Sequence, residues 1–515
     1  MRPRPILHPL LFALFPVLFL YAHNMSELYL SQLALPLLVA GAAGVFVWLV
    51  LALALHDTHR AALISSLFWV WFFLFGHLRG LVAPRNAGLE STSVLIFVVV
   101  YWVALLVGAG FLIAQRRGLR GLSSALNVAA VALVALQLIA IGGYEVNRAL
   151  AFRRVQQGAA IGSTAAAHPR VPPNIYCIVL DGYARDDVLR DIYHYDNSSF
   201  LGYLRKRGFA IAPKGRANYS QTILSLASCL NMTYLDEVAA QVGRRSTDRA
   251  PLARMIQHNR LFAFLRRRGY HTVAFASGYA PADIRTADVY IDVVPGFTEF
   301  QRVILSTTPL PLVLPAPTRA TVEHADAKRI LYIFDHLADT TKLKPPVFVF
   351  AHILSPHPPF VFDRNGKIIG REVGSRLDRA PDMPMRSEIT GYVEQLQFVN
   401  RKTRAAVAQL LAQSNWPTVI VIQSDHGASL RTDWDRVERT DARERLGALM
   451  AVYLPDGGDG RIPDDLSDVN VFRFVLDRYL GANLPLLPNE SYYSPWRYPY
   501  EFTRVTDRVD LPASR

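Results

Sequence analysis

The sequence predicts an α/β fold in two parts: an N-terminal bundle of about five transmembrane helices, then an α/β sandwich domain with a mostly parallel sheet. Apolar stretches long enough to cross a bilayer recur before residue 145. The first 150 positions hold nine arginines and only four acidic residues. After residue 173, short apolar runs alternate with amphipathic segments, which is typical of α/β domains.

The predicted spans cover residues 6–22, 30–54, 61–78, 93–114 and 122–143. Arginines precede the first span, separate spans two and three, and separate spans four and five, so these loops are predicted to be cytoplasmic. An odd number of spans then places the rest of the chain outside the cytoplasm. The first stretch lacks a clear small-residue cleavage site and further spans follow it, so it is predicted to be an anchor.

The predicted domains are 1–145 for the transmembrane helices, 146–173 for a juxtamembrane helix and linker, 174–505 for the α/β domain, and 506–515 for a tail. The linker prediction depends on the small, proline-containing run over residues 159–173. Strands are predicted at 174–180, 271–277, 346–352, 418–424 and 448–454. Helices are predicted near 198–207, 389–413 and 467–481.

The net charge of +13 has two contributions, the arginines that flank the spans and a mildly basic remainder. A basic face suits an anionic substrate or phospholipid head groups. No nucleic-acid partner is predicted, because no binding motif or basic run with interleaved aromatics is present. Cys177 and Cys229 are the only cysteines, which excludes a disulfide framework and leaves one bridge between them open.

Two predicted strands end in acidic residues. The run "NIYCIVL" ends in Asp181 followed by Gly182, and "TVIVIQS" ends in Asp425 and His426. Ligands bind beyond the carboxyl ends of strands in open α/β sheets, and these side chains are good ligands for a divalent metal. Each exit alone is equally explained by a polar turn, so the prediction depends on their combination.

A hydroxyl near a helix start is the third component. Apolar spacing from about residue 221 predicts a buried helix, with Ser220 as its N-cap and Thr222 in its first turn. Unpaired N–H groups and the helix dipole there stabilise an alkoxide or a phosphate. Ser220, Ser225 and Ser228 remain rival hydroxyls, and an ordinary helix start is the structural alternative.

Two histidines lie at the end of the strand predicted at 346–352 and shortly after it. His352 is equally explained as a strand-end residue, whereas His357 lies in a proline-rich loop and is a candidate for chemistry. A histidine there can bind non-bridging oxygens of a substrate or protonate a leaving group.

Taken in this order, the four components resemble the sulfatase-like branch of the alkaline phosphatase superfamily. The layout resembles that of the membrane-anchored lipoteichoic acid synthases and lipid A phosphoethanolamine transferases. The resemblance implies that Asp181, Thr222, Asp425 and His426 bind one divalent metal ion, Zn or Mn. It implies that Thr222 is the nucleophile that becomes phosphorylated and that His357 binds substrate, with His352 as a second substrate-binding candidate.

The activity implied is transfer of a substituted phosphate from a phospholipid donor to a glycan or lipid acceptor. The implied location is a bacterial cytoplasmic (inner) membrane, with the catalytic domain on the periplasmic side. The chain departs from true sulfatases, since the stretch from Thr222 to Leu226 lacks the C/S-x-P-x-R pattern. It also lacks the Asp-x-x-x-His motif of a second metal, and only Cys229 lies near the nucleophile.

Three alternatives stay open at this point. A membrane-anchored phosphodiesterase, phosphatase or sulfuric-ester hydrolase would use the same site with water as acceptor. A catalytically inactive scaffold or sensor predicts an incomplete ligand set, yet all the expected ligand types are present. A transporter is disfavoured because the spans hold almost no charged residue that would line a path.

Overall fold

The structure is a computed structural model that describes residues 5–25, 28–82, 92–115, 118–155, 171–292, 297–314, 324–369, 385–456 and 462–511. Contacts within the chain divide it into two compact units. The helical unit comprises Met1–Leu150 and Gly296–Val322, and the α/β unit comprises Ala151–Pro295 and Glu323–Arg515. The predicted linker lies mostly outside the described residues.

The helical unit begins with five helices at the predicted places: α1 (His8–Asn24), α2 (Ser31–Leu55), α3 (Thr58–Val82), α4 (Thr92–Ala114) and α5 (Leu119–Val155). Within the described ranges, four of them, α2 to α5, are long and apolar enough to cross a membrane, whereas α1 has 17 residues. Exposed leucines cover the outer faces, as Leu38 and Leu106 illustrate. The predicted juxtamembrane helix continues α5 without a break to Val155.

The α/β unit is built on a seven-stranded sheet with the order β2-β7-β6-β1-β5-β3-β4. Its strands are β1 (Asn174–Leu180), β2 (Phe209–Ile211), β3 (His271–Phe275), β4 (Val289–Ile291), β5 (Val347–Ile353), β6 (Thr418–Gln423) and β7 (Met450–Tyr453). The five strands from β6 to β4 in this order are parallel, and β7 is antiparallel to both its neighbours. A separate pair joins β8 (Tyr492–Tyr493) to β9 (Thr503–Arg504). The predicted fold class is confirmed.

The remaining α-helices, in chain order, are α6 (Asp186–Asp191), α7 (Ser198–Lys206), α8 (Thr222–Asn231), α9 (Asp236–Val242), α10 (Ala250–Gln257), α11 (Arg260–Arg267), α12 (Glu299–Ser306), α13 (Leu310–Val313), α14 (Ala325–His336), α15 (Met385–Gln413), α16 (Ala442–Leu446) and α17 (Asp468–Leu480). Short 3₁₀ turns lie at Ala280–Ala282, Leu337–Lys342, Val437–Arg439 and Thr506–Arg508. Helices α12 and α13 fall in the stretch that belongs to the helical unit.

Hydrophobic layers cover both faces of the large sheet. Alternate residues of β1 point to opposite faces, so Ile175 and Cys177 pack in one layer, and Tyr176 and Ile178 pack in the other. Helices α8, α10, α11 and α17 contribute to the first layer, and α7, α14 and α15 contribute to the second. Because both faces of the large sheet are buried, its central strands are continuous apolar runs in the sequence.

Candidate metal centre and active site

Three neighbouring parallel strands end at the candidate site. Strand β1 lies between β6 and β5, and all three run in the same direction, so their carboxyl ends share one edge of the sheet. Asp181 follows β1 directly, and Asp425 and His426 follow β6. His352 lies within β5, opposite Val179. The topology thus brings to Asp181 side chains that lie 171 to 245 positions later in the sequence.

Gly182 allows the loop that carries His357 to approach β1. Its φ of 75° lies in the left-handed region, and a Cβ added there would meet the His357 Cα at 3.4 Å. The backbone N–H of His357 donates to the Asp181 carbonyl at 2.9 Å. The Asp-Gly pair therefore ends the strand and also makes room for the histidine loop.

The two carboxylates are buried side by side. Asp181 is 2% exposed and Asp425 is fully buried. Asp425 accepts the Gly182 N–H at 3.3 Å, but Asp181 Oδ1 and Asp425 Oδ2 have no hydrogen-bond donor within the described residues. His426 Nε2 lies 3.4 Å from Asp181 Oδ1 and 3.2 Å from Asp425 Oδ2. Several lone pairs therefore converge on one small volume.

Burial, together with the negative charge of Asp181, raises the pKa of Asp425 to about 7, against the opposing effect of His352. Burial also raises the pKa of Asp181, while His357 and Arg445 act in the opposite direction. Two buried carboxylates with unsatisfied oxygens are costly unless a cation pairs with them. Carboxylates with imidazole nitrogen form a donor set that suits Zn or Mn.

Two overlapping groups of side chains place their ligand atoms within 4.8 Å of one another. One group contains Asp181, His357 and His426, and the other contains Asp181, His352 and Asp425. Asp181 belongs to both groups. The residues present thus fit a bound divalent ion, and either His352 or the pair His357 and His426 could supply its imidazole ligands.

The His426 ring is oriented by its neighbour. Its Nδ1 lies 2.9 Å from the Gly427 carbonyl, which only accepts, so Nδ1 carries the proton in the neutral ring. Nε2 then presents its lone pair towards Asp181, Asp425 and the Thr222 hydroxyl. A backbone carbonyl bonded to the far ring nitrogen is a common arrangement for metal-binding histidines.

Thr222 is the first residue of α8, and its Oγ1 lies 2.9 Å from His426 Nε2. The prediction that Ser220 caps this helix is wrong. Gln221 occupies the N-cap in an extended conformation, and its side chain turns away to the Ser494 hydroxyl and the Pro495 carbonyl. Thr222 consequently stands at the positive end of the helix dipole.

The rival hydroxyls are otherwise engaged. Ser225 donates to the Tyr219 carbonyl, Ser228 donates to the Thr233 carbonyl, and the Ser220 oxygen accepts the Ser494 N–H. All three serines are buried, whereas Thr222 is half-buried. A nucleophile must be open to its substrate, and this geometry favours Thr222.

The strand histidine His352 and the loop histidine His357 occupy different environments. His357 is half-buried, with its ring centre 5.9 Å from that of His426. His352 is fully buried, and its Nε2 lies 3.3 Å from Asp181 Oδ2. His352 was a candidate for substrate binding, but a side chain without exposed surface suits a metal ligand better than a substrate contact.

Arg445 is a residue that the sequence analysis missed. Its Nε donates to the Ser220 carbonyl at 2.7 Å, and its Nη1 donates to the Gly427 carbonyl at 3.2 Å. The guanidinium is 2% exposed and lies 4.8 Å from the centre of the Trp434 ring. Three charged residues in a row, Arg443 to Arg445, directly before an apolar strand were the signal that could have revealed it.

The two cysteines are free, buried thiols, so the bridge left open by the sequence is absent between them. Cys229 lies in α8 and accepts a weak hydrogen bond from Gln423 at 3.4 Å. Burial raises its pKa well above the usual value, with a further rise from the charge of Asp468. Neither cysteine has the exposed, low-pKa character of a reactive thiol.

The sequence model of the sulfatase family matches residues 173–468. No curated protein sequence matched the chain. The chain is similar to the C-terminal periplasmic domain of EptC from Escherichia coli (11% identity, 69% of this chain, 98% of that chain, TM-score 0.44). It is also similar to the lipooligosaccharide phosphoethanolamine transferase EptA from Neisseria meningitidis (13%, 92% and 95%, TM-score 0.42). A third similar structure is the phosphonate monoester hydrolase of Agrobacterium radiobacter (15%, 62% and 75%, TM-score 0.41). At these values the likenesses do not bear on the substrate.

Proposed function

The chain belongs to the sulfatase family of the alkaline phosphatase superfamily, and from this premise we propose that it is a metal-dependent phosphotransferase of the cell envelope. It takes a substituted phosphate from a membrane phospholipid and passes it to a glycan or lipid hydroxyl. The observation that carries the proposal is the half-buried Thr222 hydroxyl at the start of α8, 2.9 Å from His426 Nε2 and beside two buried carboxylates.

Asp181, Asp425, His426 and Thr222 would hold one divalent ion, Zn or Mn. The ion would lower the pKa of the threonine hydroxyl and offset the charge on the substrate oxygens. His352 lies close enough to Asp181 to join or support this set. The unsatisfied oxygens of Asp181 and Asp425 support the assignment.

In the first half-reaction, Thr222 loses its proton to solvent and its oxygen forms a bond to phosphorus. The bond between phosphorus and the diacylglycerol oxygen breaks, and His357 donates a proton to that oxygen. In the second half, an acceptor hydroxyl gives its proton to His357 and attacks phosphorus, and the threonine oxygen leaves and is reprotonated. The N–H groups at the start of α8 face the developing negative charge.

The four apolar helices support a lipid donor, because they would hold the chain at a bilayer. The proposed location is a bacterial inner membrane, with the α/β unit on the periplasmic side. We infer this orientation from the placement of the arginines together with an odd number of spans, so α1 is proposed to cross the membrane along with α2 to α5. Water in place of the glycan would make the same site a phosphodiesterase, which is the second candidate.

The deciding experiment is the mass of the peptide that contains Thr222, after the metal-loaded protein has been incubated with total phospholipid. Trypsin cleaves after Arg216 and Arg244, and fragmentation of the intervening peptide locates the added mass among its hydroxyls. We expect a substituted phosphate on Thr222 that identifies the head group. The matched control variants are Thr222→Ala, which should remain unmodified, and Ser225→Ala, which should be modified normally.

A modification that stays in Thr222→Ala would move the nucleophile to another residue. An unmodified wild-type peptide, with metal bound and phosphate ester consumed, would favour the hydrolase. An unmodified peptide with no turnover on lipids or on soluble phosphate esters would contradict both candidates.

A further inference from the structure

Residues Gly296–Val322, between β4 and α14 in the sequence, belong to the helical unit, although the residues before and after them in the sequence belong to the α/β unit. We propose that residues 297–314, named the interface segment, enter the lipid of the bilayer surface beside α1 and α3. The partner is the acyl and head-group boundary of a phospholipid leaflet. The inference does not depend on the proposed reaction.

Aromatic and aliphatic contacts join the interface segment to α1. Phe300 is 3% exposed, and its ring meets that of Tyr21 edge-on at 6.0 Å. Phe300 and Ile304 belong to the buried cluster that also contains Val17 and Leu18. Helix α12 is well defined at its start, where Thr298 and Gln301 form a capping box.

Backbone contact joins the interface segment to α3. The Gly76 N–H donates to the Thr307 carbonyl at 2.9 Å. A Cβ added at Gly76 would lie 2.1 Å from the Ser306 carbonyl oxygen, so any other residue would push the segment away. The helix therefore has a glycine where the segment needs close approach.

The contacts lie near the carboxyl ends of α1 and α3. Tyr21 precedes the end of α1 by three residues, and Gly76 precedes the end of α3 by six. At a rise of 1.5 Å per residue these positions are about 5–9 Å inside the helix ends. Interfacial segments bury their apolar faces about 5–10 Å into the boundary between head groups and acyl chains.

The composition of the segment suits lipid better than water. Over residues 297–314 the sequence has only two charged residues, Glu299 and Arg302, and residues 309–314 read "PLPLVL". Val313 is 72% exposed in this apolar run. Leu106 on α4, a predicted spanning helix, has a similar exposed fraction of 69%. An exposed apolar run on a segment that packs against α1 and α3 is most simply covered by lipid.

The test uses the scarcity of cysteines. In the full-length chain carrying Val313→Cys, an environment-sensitive fluorophore should attach mainly to the new cysteine, because Cys177 and Cys229 are buried. The unsubstituted chain measures background labelling. The protein is reconstituted in phospholipid vesicles that carry bromine at shallow or deep acyl positions. Leu106→Cys on α4 is the lipid-exposed control, and Leu486→Cys in the α/β unit is the water-exposed control.

We expect shallow bromine to quench most of the Val313→Cys label, deep bromine to quench the Leu106→Cys label, and neither to quench the Leu486→Cys label. Adding Gly76→Leu should reduce quenching at position 313 and leave position 106 unchanged. Quenching at position 313 no greater than at position 486 would overturn the proposal. Protection from a water-soluble quencher without quenching by brominated lipid would also overturn it, by assigning the segment to a protein contact.

Discussion

Replacing Arg445 tests whether this residue positions the proposed nucleophile, Thr222, or only stabilises the fold. The guanidinium bonds the Ser220 carbonyl, two residues before Thr222, and the Gly427 carbonyl, one residue after His426. Burial lowers its pKa to about 10, so it stays charged at neutral pH. Hydrogen bonds from a charged donor contribute about 1.5–3 kcal/mol each, so Arg445→Ala costs about 3–6 kcal/mol in total.

The free energy lost in Arg445→Ala divides between stability of the folded protein and stabilisation of the transition state. If half of it falls on the transition state through misplacement of Thr222 and His426, kcat drops about 10- to 100-fold. KM should change little, because Arg445 acts through backbone carbonyls. Arg445→Lys keeps the charge and one of the two bonds, so it should recover part of kcat.

The assay measures kcat, KM and the unfolding temperature of the three proteins, with metal content matched. A lower unfolding temperature with wild-type kcat would show that Arg445 supports the fold without positioning the site. A large rise in KM at constant kcat would instead place Arg445 on the substrate. Either result would refute the positioning role.

Three further predictions concern charge and protons. Asp181→Asn and Asp425→Asn should each lower metal occupancy, measured by elemental analysis, and full occupancy in both variants would contradict the assigned site. Because burial raises the pKa of Asp425 to about 7, this carboxylate is increasingly protonated below pH 7. The metal affinity of the wild type should therefore fall by up to about tenfold per pH unit below pH 7. His357→Ala should slow turnover more than it weakens metal binding, and an equal loss of both would make His357 a ligand. Asp468 is buried, and burial together with the charge of Asp425 raises its pKa well above the usual value. The folded protein therefore keeps a proton on Asp468 that the unfolded chain releases. As a result, the free energy of unfolding falls as the pH rises above the ordinary carboxyl pKa. Asp468→Asn should therefore raise the unfolding temperature at pH 8 and leave it unchanged near pH 4, and an equal shift at both pH values would point to a packing effect.

The central strands could be predicted because each is a β-branched run of about seven residues. Strands β1, β5 and β6 lie within one residue of their expected ends. Strands β2 and β4 were missed because three residues, such as Phe209–Ile211, carry too little periodicity to identify a strand. The antiparallel direction of β7 depends on its chain path and could not be inferred from its apolar run.

The residues of the candidate site could be predicted where residue type and position relative to a strand or helix were sufficient. Asp181 and Asp425 follow apolar runs, and Thr222 begins an apolar helix. Arg445 was missed because its role depends on two backbone carbonyls that the fold brings together, 225 and 18 positions away, and its charged neighbours were only a weak signal. The interface segment was missed because its apolar runs are too short to cross a bilayer, and proline interrupts them.

The chain belongs to the sulfatase family, yet the proposed nucleophile, Thr222, favours phosphate over sulfate chemistry. The residues from Thr222 to Leu226 lack the pattern whose Cys or Ser is converted to an aldehyde in true sulfatases. A hydrated aldehyde carries two oxygens, so one can expel an ester bound to the other. Threonine carries a single oxygen, so an ester on Thr222 leaves only when an external hydroxyl attacks phosphorus. The modified threonine of a transferase should therefore accumulate when the glycan acceptor is withheld and decay when it is added, whereas decay in buffer alone would indicate a hydrolase that uses water.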